Sequence, residues 1–139
     1  MQNDAIRLNS ATTNLQVIRD FVSASARTAG FADDTVYKIQ LAVDEACTNV
    51  MKHSYKNDPT QDIGISVSWD GTKLVVEITD SGLPFDPGQY HQPDLGTFIK
   101  QKKRGGLGIH LIRSLMDEVR YDRKNDKNLI TLIKELKKS

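Results

Sequence analysis

The segment "DEACTNVMKHS", residues 44–54, places three polar side chains at helical spacing. On an α-helix Glu45, Asn49 and Lys52 fall within about 60° of one another, away from the apolar residues of the same segment. An amide oxygen can bind a hard cation, an ammonium group can bind phosphate, and a carboxylate can accept a proton. This set suits metal–phosphate chemistry, but a solvated helix face with a Glu–Lys pair would give the same pattern.

The motif "DSGLPFDP", residues 80–87, begins with an acidic residue at the end of a predicted strand. An ionised Asp80 on this rigid mount can accept a hydrogen bond from an exocyclic amine such as that of adenine, and Gly82 allows a flat ring to approach the backbone. Asp-Ser-Gly is equally good turn chemistry. The segment from Asp80 to Arg104 is rich in Gly and Pro and has no sustained periodicity, which predicts a binding loop or a lid.

The third motif, "RGGLGIH", residues 104–110, precedes an apolar helical pattern. Gly105, Gly106 and Gly108 allow the chain to bend over a ligand, and the amides that open the following helix favour an anion such as phosphate. Arg104 and the two lysines before it add positive charge. A flexible connector would have the same composition, and the spacing is not that of a P-loop.

Alternating and helical apolar patterns indicate the elements that position these motifs. We expect, in order, a strand, two helices, two strands, the long loop, a helix and two strands. The first predicted strand spans 5–8, and the first predicted helix has Ser10, Thr12 or Thr13 as its side-chain cap and stops at Gly30. The second predicted helix, 33–54, has an apolar stripe of Val36, Ile39, Val43, Ala46, Cys47 and Val50. A hairpin around Asp70-Gly71, a third helix from near Gly106 and a last hairpin around "KNDKN" complete the predicted elements. This order predicts an α+β fold, a two-layer α/β sandwich whose mixed, mostly antiparallel sheet carries its helices on one face.

Composition places the chain in the globular class. The 139 residues have the length of one domain, and a formal charge of +1 gives no overall attraction to nucleic acid or to a membrane. Basic residues are not interleaved with aromatic ones, so we predict no direct nucleic-acid binding. The single cysteine cannot form an internal disulfide, and with no signal sequence or spanning segment in view the expected location is the cytoplasm.

Taken in order, the three motifs resemble the N box and the first and second glycine boxes of the Bergerat-fold ATPases, which include gyrase, heat-shock chaperones and histidine kinases. Within that superfamily, "LAVDEACTNV" and "GGLGIHLIRSLMDEV" most resemble the bacterial anti-sigma-factor serine/threonine protein kinases. The resemblance covers nearly the whole chain. It implies one histidine-kinase-like ATPase domain over residues 1–139.

The resemblance also implies roles for particular residues. Asp80 would hold the adenine amine, Asn49 would be the ligand of Mg²⁺, and Glu45 would orient or deprotonate the substrate hydroxyl. Thr131 would line the adenine pocket, although an ordinary strand threonine is nearly as good a reading. The remaining ATP-binding positions are Lys52, Gly82, Arg104, Gly105, Gly106, Leu107 and Gly108, with Arg104 the first choice for the γ-phosphate.

The implied activity is ATP- and Mg²⁺-dependent phosphorylation of a serine or threonine on an anti-sigma factor antagonist with a sulfate-transporter-like domain. A sigma factor would be the second partner, sequestered when the antagonist is phosphorylated, and the protein would be a homodimer. One alternative is a nucleotide-dependent sequestration module with little or no kinase activity, against which Glu45 argues because a binder needs no base. Another is the catalytic part of a histidine kinase, for which we see no preceding helix pair with a phosphoacceptor histidine.

Overall fold

A computed structural model describes residues 2–84 and 104–136, with only the backbone described at 2 and 104–109. Five strands and three α-helices make up this part of the chain. A 3₁₀ turn, Thr12–Asn14, leads into the first helix, and a π-helical turn, Val50–Ser54, extends the second. The elements are β1 Gln2–Asn9, α1 Leu15–Ala29, α2 Asp33–Asn49, β2 Asp62–Trp69, β3 Lys73–Asp80, α3 Arg104–Leu115, β4 Glu118–Lys124 and β5 Lys127–Glu135.

The strands form one sheet in the order β1-β2-β3-β5-β4, and every neighbouring pair among them is antiparallel. Because side chains alternate along a strand, one face of the sheet is apolar and packs against the helices. The alternate residues, on the other face, are mostly half exposed. An antiparallel sheet with helices packed on one face confirms the predicted α+β class. The central side chains of the covered face are Ile63, Ile65, Val67, Leu74, Val76, Ile78, Ile130 and Leu132.

Helix α2 is the centre of the helical layer, since it packs against both α1 and α3. Its predicted apolar stripe is confirmed. The stripe residues Val36, Ile39, Val43, Ala46, Cys47 and Val50 are all buried. On the solvent side, Arg19 of α1 donates a hydrogen bond of 2.7 Å to the Asp44 carboxylate of α2. Helix α2 therefore has a fixed orientation relative to the sheet, and so do the polar residues on its remaining face.

The carboxyl end of α1 agrees with the prediction, and the amino end does not. Gly30 ends the helix with φ of 106°, a left-handed conformation that glycine adopts without strain, as predicted. The predicted side-chain caps at the other end are wrong. No side-chain hydrogen bond caps the 3₁₀ turn or α1, because the Ser10 hydroxyl donates instead to the Asp58 carbonyl, 2.6 Å away.

The second helix changes its winding directly after Asn49. A continuous α-helix was predicted to Ser54, but from Val50 the backbone forms a π turn, closed by the Tyr55 amide on the Val50 carbonyl at 3.0 Å. A π turn is wider than an α turn and is common beside functional sites. Here it brings Ser54 against the segment that follows β3.

The last hairpin turns without glycine. Asn125 and Asp126 both have positive φ, 55° and 60°, which is what a two-residue turn of this kind requires. Asparagine and aspartate tolerate that conformation better than most residues. The turn fixes the register in which Arg123 of β4 lies opposite Asn128 of β5.

None of the helices in the described ranges combines the length and the apolar character needed to cross a membrane.

Candidate active site

A cleft lies between the sheet, α2 and α3. It contains about 360 Å³ of space not filled by protein atoms, part of it open to solvent. The residues around it come from five elements, α2, β3, α3, β4 and β5, and from the turn after α2, so only the folded chain assembles it. They are Ala46, Asn49, Val50, Ser54, Asp80, Ile112, Tyr121, Asp122, Asn128, Leu129 and Ile130.

Asp80 lies at the carboxyl end of β3 and is only 3% exposed. Its Oδ1 accepts two hydrogen bonds, from the Gly82 amide and from Nδ2 of Asn128, each 2.9 Å long. Its Oδ2 is buried and has no hydrogen-bond partner of good geometry in the described part of the chain. One oxygen of the carboxyl group is therefore fixed by the protein, and the other faces a position that needs a donor.

The environment of Asp80 disfavours its charge. Burial raises the pKa of this carboxyl, and the hydrogen bonds from Asn128 and the Gly82 amide, with the nearby Ser54 hydroxyl, oppose the rise. A raised pKa means that folding disfavours the ionised form of the group, so the ionised carboxylate lowers the stability of the folded protein. A ligand that donates to Oδ2 would recover part of this free energy.

Gly82 is needed for packing against Ser54. A Cβ placed on Gly82 would overlap the Ser54 backbone, coming within 2.7 Å of its carbonyl carbon. The Leu83 amide donates to the Ser54 carbonyl at 2.9 Å. Gly82 therefore shapes the site by letting the chain after β3 lie directly on the π turn, a role different from the predicted approach of a flat ring.

Helix α2 and its π turn bring the three predicted polar residues to one side of the molecule. Asn49 lines the cleft and is 7% exposed, Glu45 is half-buried one turn earlier, and Lys52 is exposed. Burial is the main reason that the pKa of Glu45 is raised; the neighbouring Asp44 charge adds to this, and Lys52 opposes it. The influence of Lys52 on Glu45 is consistent with their predicted common face.

The second glycine motif forms the beginning of α3. Residues 104–108 have helical backbone, so Arg104, Gly105, Gly106, Leu107 and Gly108 occupy its first turns, slightly earlier than the predicted start near Gly106. Ile112 of the same helix lines the cleft. The start of α3 thus belongs to the element that borders the cleft. Most of the predicted lid, residues 85–103, lies outside the described residues.

The structure does not bring Thr131 to the cleft. In the β3–β5 pair Asp80 is opposite Asn128, and Thr131 is opposite Glu77. Because Asn128 and Thr131 are separated by an odd number of positions, their side chains lie on opposite faces of the sheet. The β5 residue beside Asp80 at the cleft is Asn128, whereas the resemblance had implied that Thr131 lines the adenine pocket.

Three residues around the cleft, Asn128, Ser54 and Tyr121, were not predicted from the sequence. Tyr121 lines the cleft, and burial raises the pKa of its phenol to about 12, so it stays neutral at physiological pH. Asn128 lies at the level of the end of β3 because of the register of the β3–β5 pair, which no local sequence pattern specifies. Among the described residues no group of three or more His, Cys, Asp or Glu side chains is placed to hold a metal ion.

Residues 8–134 match the family of histidine kinase-like ATPase domains. The serine-protein kinase RsbW of Bacillus subtilis (strain 168) is 38% identical over 109 residues, which are 75% of this chain and 68% of that relative. RsbW of Halalkalibacterium halodurans is 37% identical over 108 residues, 74% of this chain and 65% of the relative. The matched segments thus span about two thirds of these relatives.

Two solved structures share the fold at low sequence identity. The RsbU and RsbW domains of a Mycobacterium tuberculosis protein superpose with a TM-score of 0.69 at 15% identity, covering 96% of this chain and 32% of that one. The histidine kinase AdeS of Acinetobacter baumannii gives 0.51 at 11% identity, covering 97% and 68%. The chain belongs to the histidine kinase-like ATPase family and, within it, to the anti-sigma factor serine/threonine protein kinases.

We expect Asp80→Asn to separate ligand binding from stability. The asparagine keeps an oxygen for the Gly82 and Asn128 donors but places an amine where Oδ2 was. The pKa of Asp80 is raised in the folded protein, so the wild type loses stability as pH rises through that pKa and the carboxyl ionises. Asparagine does not ionise, so at neutral pH the melting temperature of the variant should equal or exceed that of the wild type.

ATP affinity of the same variant should fall by about 10-fold to 100-fold, the usual effect of losing a hydrogen bond to a charged group. Titration calorimetry and thermal melting at pH 7.5 check both parts. Equal ATP affinity in the mutant and the wild type would rule out Asp80 as the adenine-binding group.

Proposed function

We propose that the chain is a cytoplasmic, ATP- and Mg²⁺-dependent serine/threonine protein kinase that phosphorylates an anti-sigma factor antagonist and sequesters a sigma factor. The observation that carries this proposal is the buried Oδ2 of Asp80, which accepts no hydrogen bond of good geometry from the described residues although the Ser54 hydroxyl lies near the carboxyl group. The exocyclic amine of adenine is such a donor. Similarity to relatives named serine-protein kinase RsbW supports the type of reaction.

The adenine ring would enter the cleft between α2, α3 and the sheet. Ala46, Ile112 and Ile130 supply apolar surface there, and the polar groups are few and convergent, as in most nucleotide pockets. The triphosphate would then extend towards the start of α3, whose amide groups favour an anion. Lys52 is exposed in the π turn after α2, and Arg104 remains the first choice from the sequence for the γ-phosphate.

The donors around Asn49 fit a magnesium ion held mainly by the substrate. Asn49 is buried at the cleft, and no hydrogen bond joins its side-chain amide to another described residue, so its oxygen is available. Mg²⁺ commonly takes one or two protein oxygens and completes its shell with phosphate and water. When bound, the ion would neutralise phosphate charge.

Glu45 is one helical turn before Asn49, which places its carboxylate beside the proposed phosphate position. Its raised pKa, caused first by burial, brings its basicity closer to neutral pH, where a proton acceptor is most effective. Glu45 would orient the hydroxyl of the partner protein or accept its proton, and the bound ATP would supply the phosphoryl group. Positioning and charge stabilisation would account for the rest of the rate.

The partners in this proposal are proteins. The antagonist would be a small protein with a sulfate-transporter-like domain whose serine or threonine reaches the space above Glu45. The sigma factor would bind the kinase when the antagonist is phosphorylated. The exchange between the two would make the protein a switch. The support for both partners is family similarity.

We also propose a homodimer formed through the open face of the sheet, where Val75, Leu129 and Thr131 are half exposed. Sedimentation equilibrium at micromolar concentration should give twice the chain mass of 15.6 kDa. Val75→Arg should shift the mass to that of one chain, because a charge on this face would lie in the interface. A single-chain mass for the wild type would contradict the dimer.

Asn49→Ala should weaken the contribution of Mg²⁺ to nucleotide binding while the fold survives, because the apolar stripe of α2 is unchanged. We expect the wild type to bind ATP about tenfold or more tightly with Mg²⁺ than with a chelator, and the mutant to lose most of this difference. Calorimetry with and without the metal measures it. A metal effect of wild-type size in the mutant would show that Asn49 is not the ligand.

Glu45→Gln tests the kinase assignment most directly, because glutamine keeps the shape but cannot act as a base. Phosphate transfer from labelled ATP to the antagonist should fall by about 10²-fold to 10⁴-fold, while ATP affinity changes little. The wild-type rate should also fall on the acid side as Glu45 takes up a proton, at a pH above 4.5, and the mutant should lack this step.

The matched control is Glu135→Gln, which changes an exposed glutamate at the end of β5. It should leave the transfer rate unaltered. If Glu45→Gln phosphorylates as fast as the wild type, Glu45 has no chemical role. If the wild type binds ATP and a sigma factor but transfers no phosphate to any antagonist tested, the protein is a sequestration module.

A further inference from the structure

A chain of hydrogen bonds links an exposed cation to the buried carboxylate. Nη1 of Arg123 donates to Oδ1 of Asn128 at 3.0 Å, and Nδ2 of Asn128 donates to Oδ1 of Asp80 at 2.9 Å. Nδ2 also donates to the Leu83 carbonyl at 2.8 Å, and Arg123 reaches the Gly82 carbonyl at 3.2 Å. Asn128 is 3% exposed, so these protein groups, and not water, are the hydrogen-bond partners of its amide.

The chemistry of the partners fixes the orientation of the Asn128 amide. An arginine side chain can only donate, so it must meet the amide oxygen. The Asp80 carboxylate and the Leu83 carbonyl can only accept from the amide, so they must meet its nitrogen. Both hydrogens of Nδ2 and its oxygen are thereby used, and a rotated amide would place oxygen against two other oxygens.

The amide bond also influences the charge of Asp80. Burial raises the pKa of the carboxyl, and the hydrogen bond from Asn128 is the strongest of the influences that lower it. Asp122, Asn125 and Asp126 also lie near the hairpin turn, but among the charged residues of that turn it is Arg123 that hydrogen-bonds to Asn128. Asn128 therefore occupies Oδ1 and favours the ionised carboxylate, whose Oδ2 accepts and does not donate.

We propose that Asn128, held by Arg123, is a positioning residue that sets the base preference of the cleft by keeping Asp80 a hydrogen-bond acceptor, so that a purine with a 6-amino group binds better than one with a 6-oxo group. The inference rests on the proposed binding of an adenine nucleotide. It adds the residue that holds the carboxylate in its accepting state. Without the Asn128 donor, a protonated Asp80 can donate to a 6-oxo group.

The experiment compares the dissociation constants of ATP and inosine triphosphate, which differ in the group at position 6. Asn128→Leu has nearly the same volume and neither donor nor acceptor. We expect the preference for ATP over inosine triphosphate to shrink by about 10-fold to 100-fold in this variant, since a hydrogen bond to a charged group is lost. Circular dichroism and thermal melting report whether the variant folds.

A second variant avoids the buried position. Arg123→Met removes the donor to Asn128 from a side chain that is 32% exposed, so the fold should persist. The preference for ATP should shrink by about 3-fold to 10-fold, the effect of one ordinary hydrogen bond. Lys124→Met makes the same change of charge at the next residue, which is exposed, and should leave the preference unchanged.

An unchanged preference in Asn128→Leu, or in Arg123→Met where Asn128→Leu does not fold, overturns the inference. A residue needed only for folding would weaken both nucleotides by the same factor, so the ratio separates the two roles. A wild-type protein that binds neither nucleotide contradicts the proposed function. A wild type that prefers ATP, with variants that keep the same preference, contradicts only the role of Asn128.

Discussion

The hydrogen bond between Asn128 and Asp80 joins the central strand β3 to its neighbour β5 at the level where the cleft begins. A carboxylate with 3% exposure is unfavourable unless donors surround it, and here the donors come from β5 and from the backbone after β3. The same contacts fix the segment from Gly82 to Leu83 against the π turn that follows α2. The buried charge, the turn and the hairpin register thus depend on one another.

Helix α2 combines two functions through its periodicity. Its apolar stripe is buried against the sheet, which fixes the rotation of the helix about its axis. As a consequence Asn49 lines the cleft, and Glu45 lies one helical turn before it. The π turn then ends the α-helical register before Lys52 and Ser54. A core residue and a site residue on this helix are therefore one or two positions apart, and substitutions in the stripe would move the chemistry as well as reduce stability.

Stability and binding are in opposition at Asp80. The folded chain carries a carboxyl whose pKa is raised by burial, and the oxygen without a good donor adds to that cost. Sites that bind ligands often retain such unsatisfied groups, because the ligand supplies the missing donor. Tyr55 stabilises the same region without entering the cleft: its hydroxyl donates to the Asp62 carbonyl at 2.6 Å and accepts from the Ser81 amide at 2.7 Å.

The sequence by itself determined the order of elements, the stripe of α2, the stop at Gly30 and the three motifs, because each depends on residues close together in the chain. It placed Asp80 at a strand end correctly. Only the tertiary structure decided that Asn128, and not Thr131, lies beside Asp80, and that Gly82 packs on Ser54. These contacts join residues 28 to 48 positions apart, and a shift of one residue in strand register would reverse which face each side chain occupies, so local patterns do not specify them.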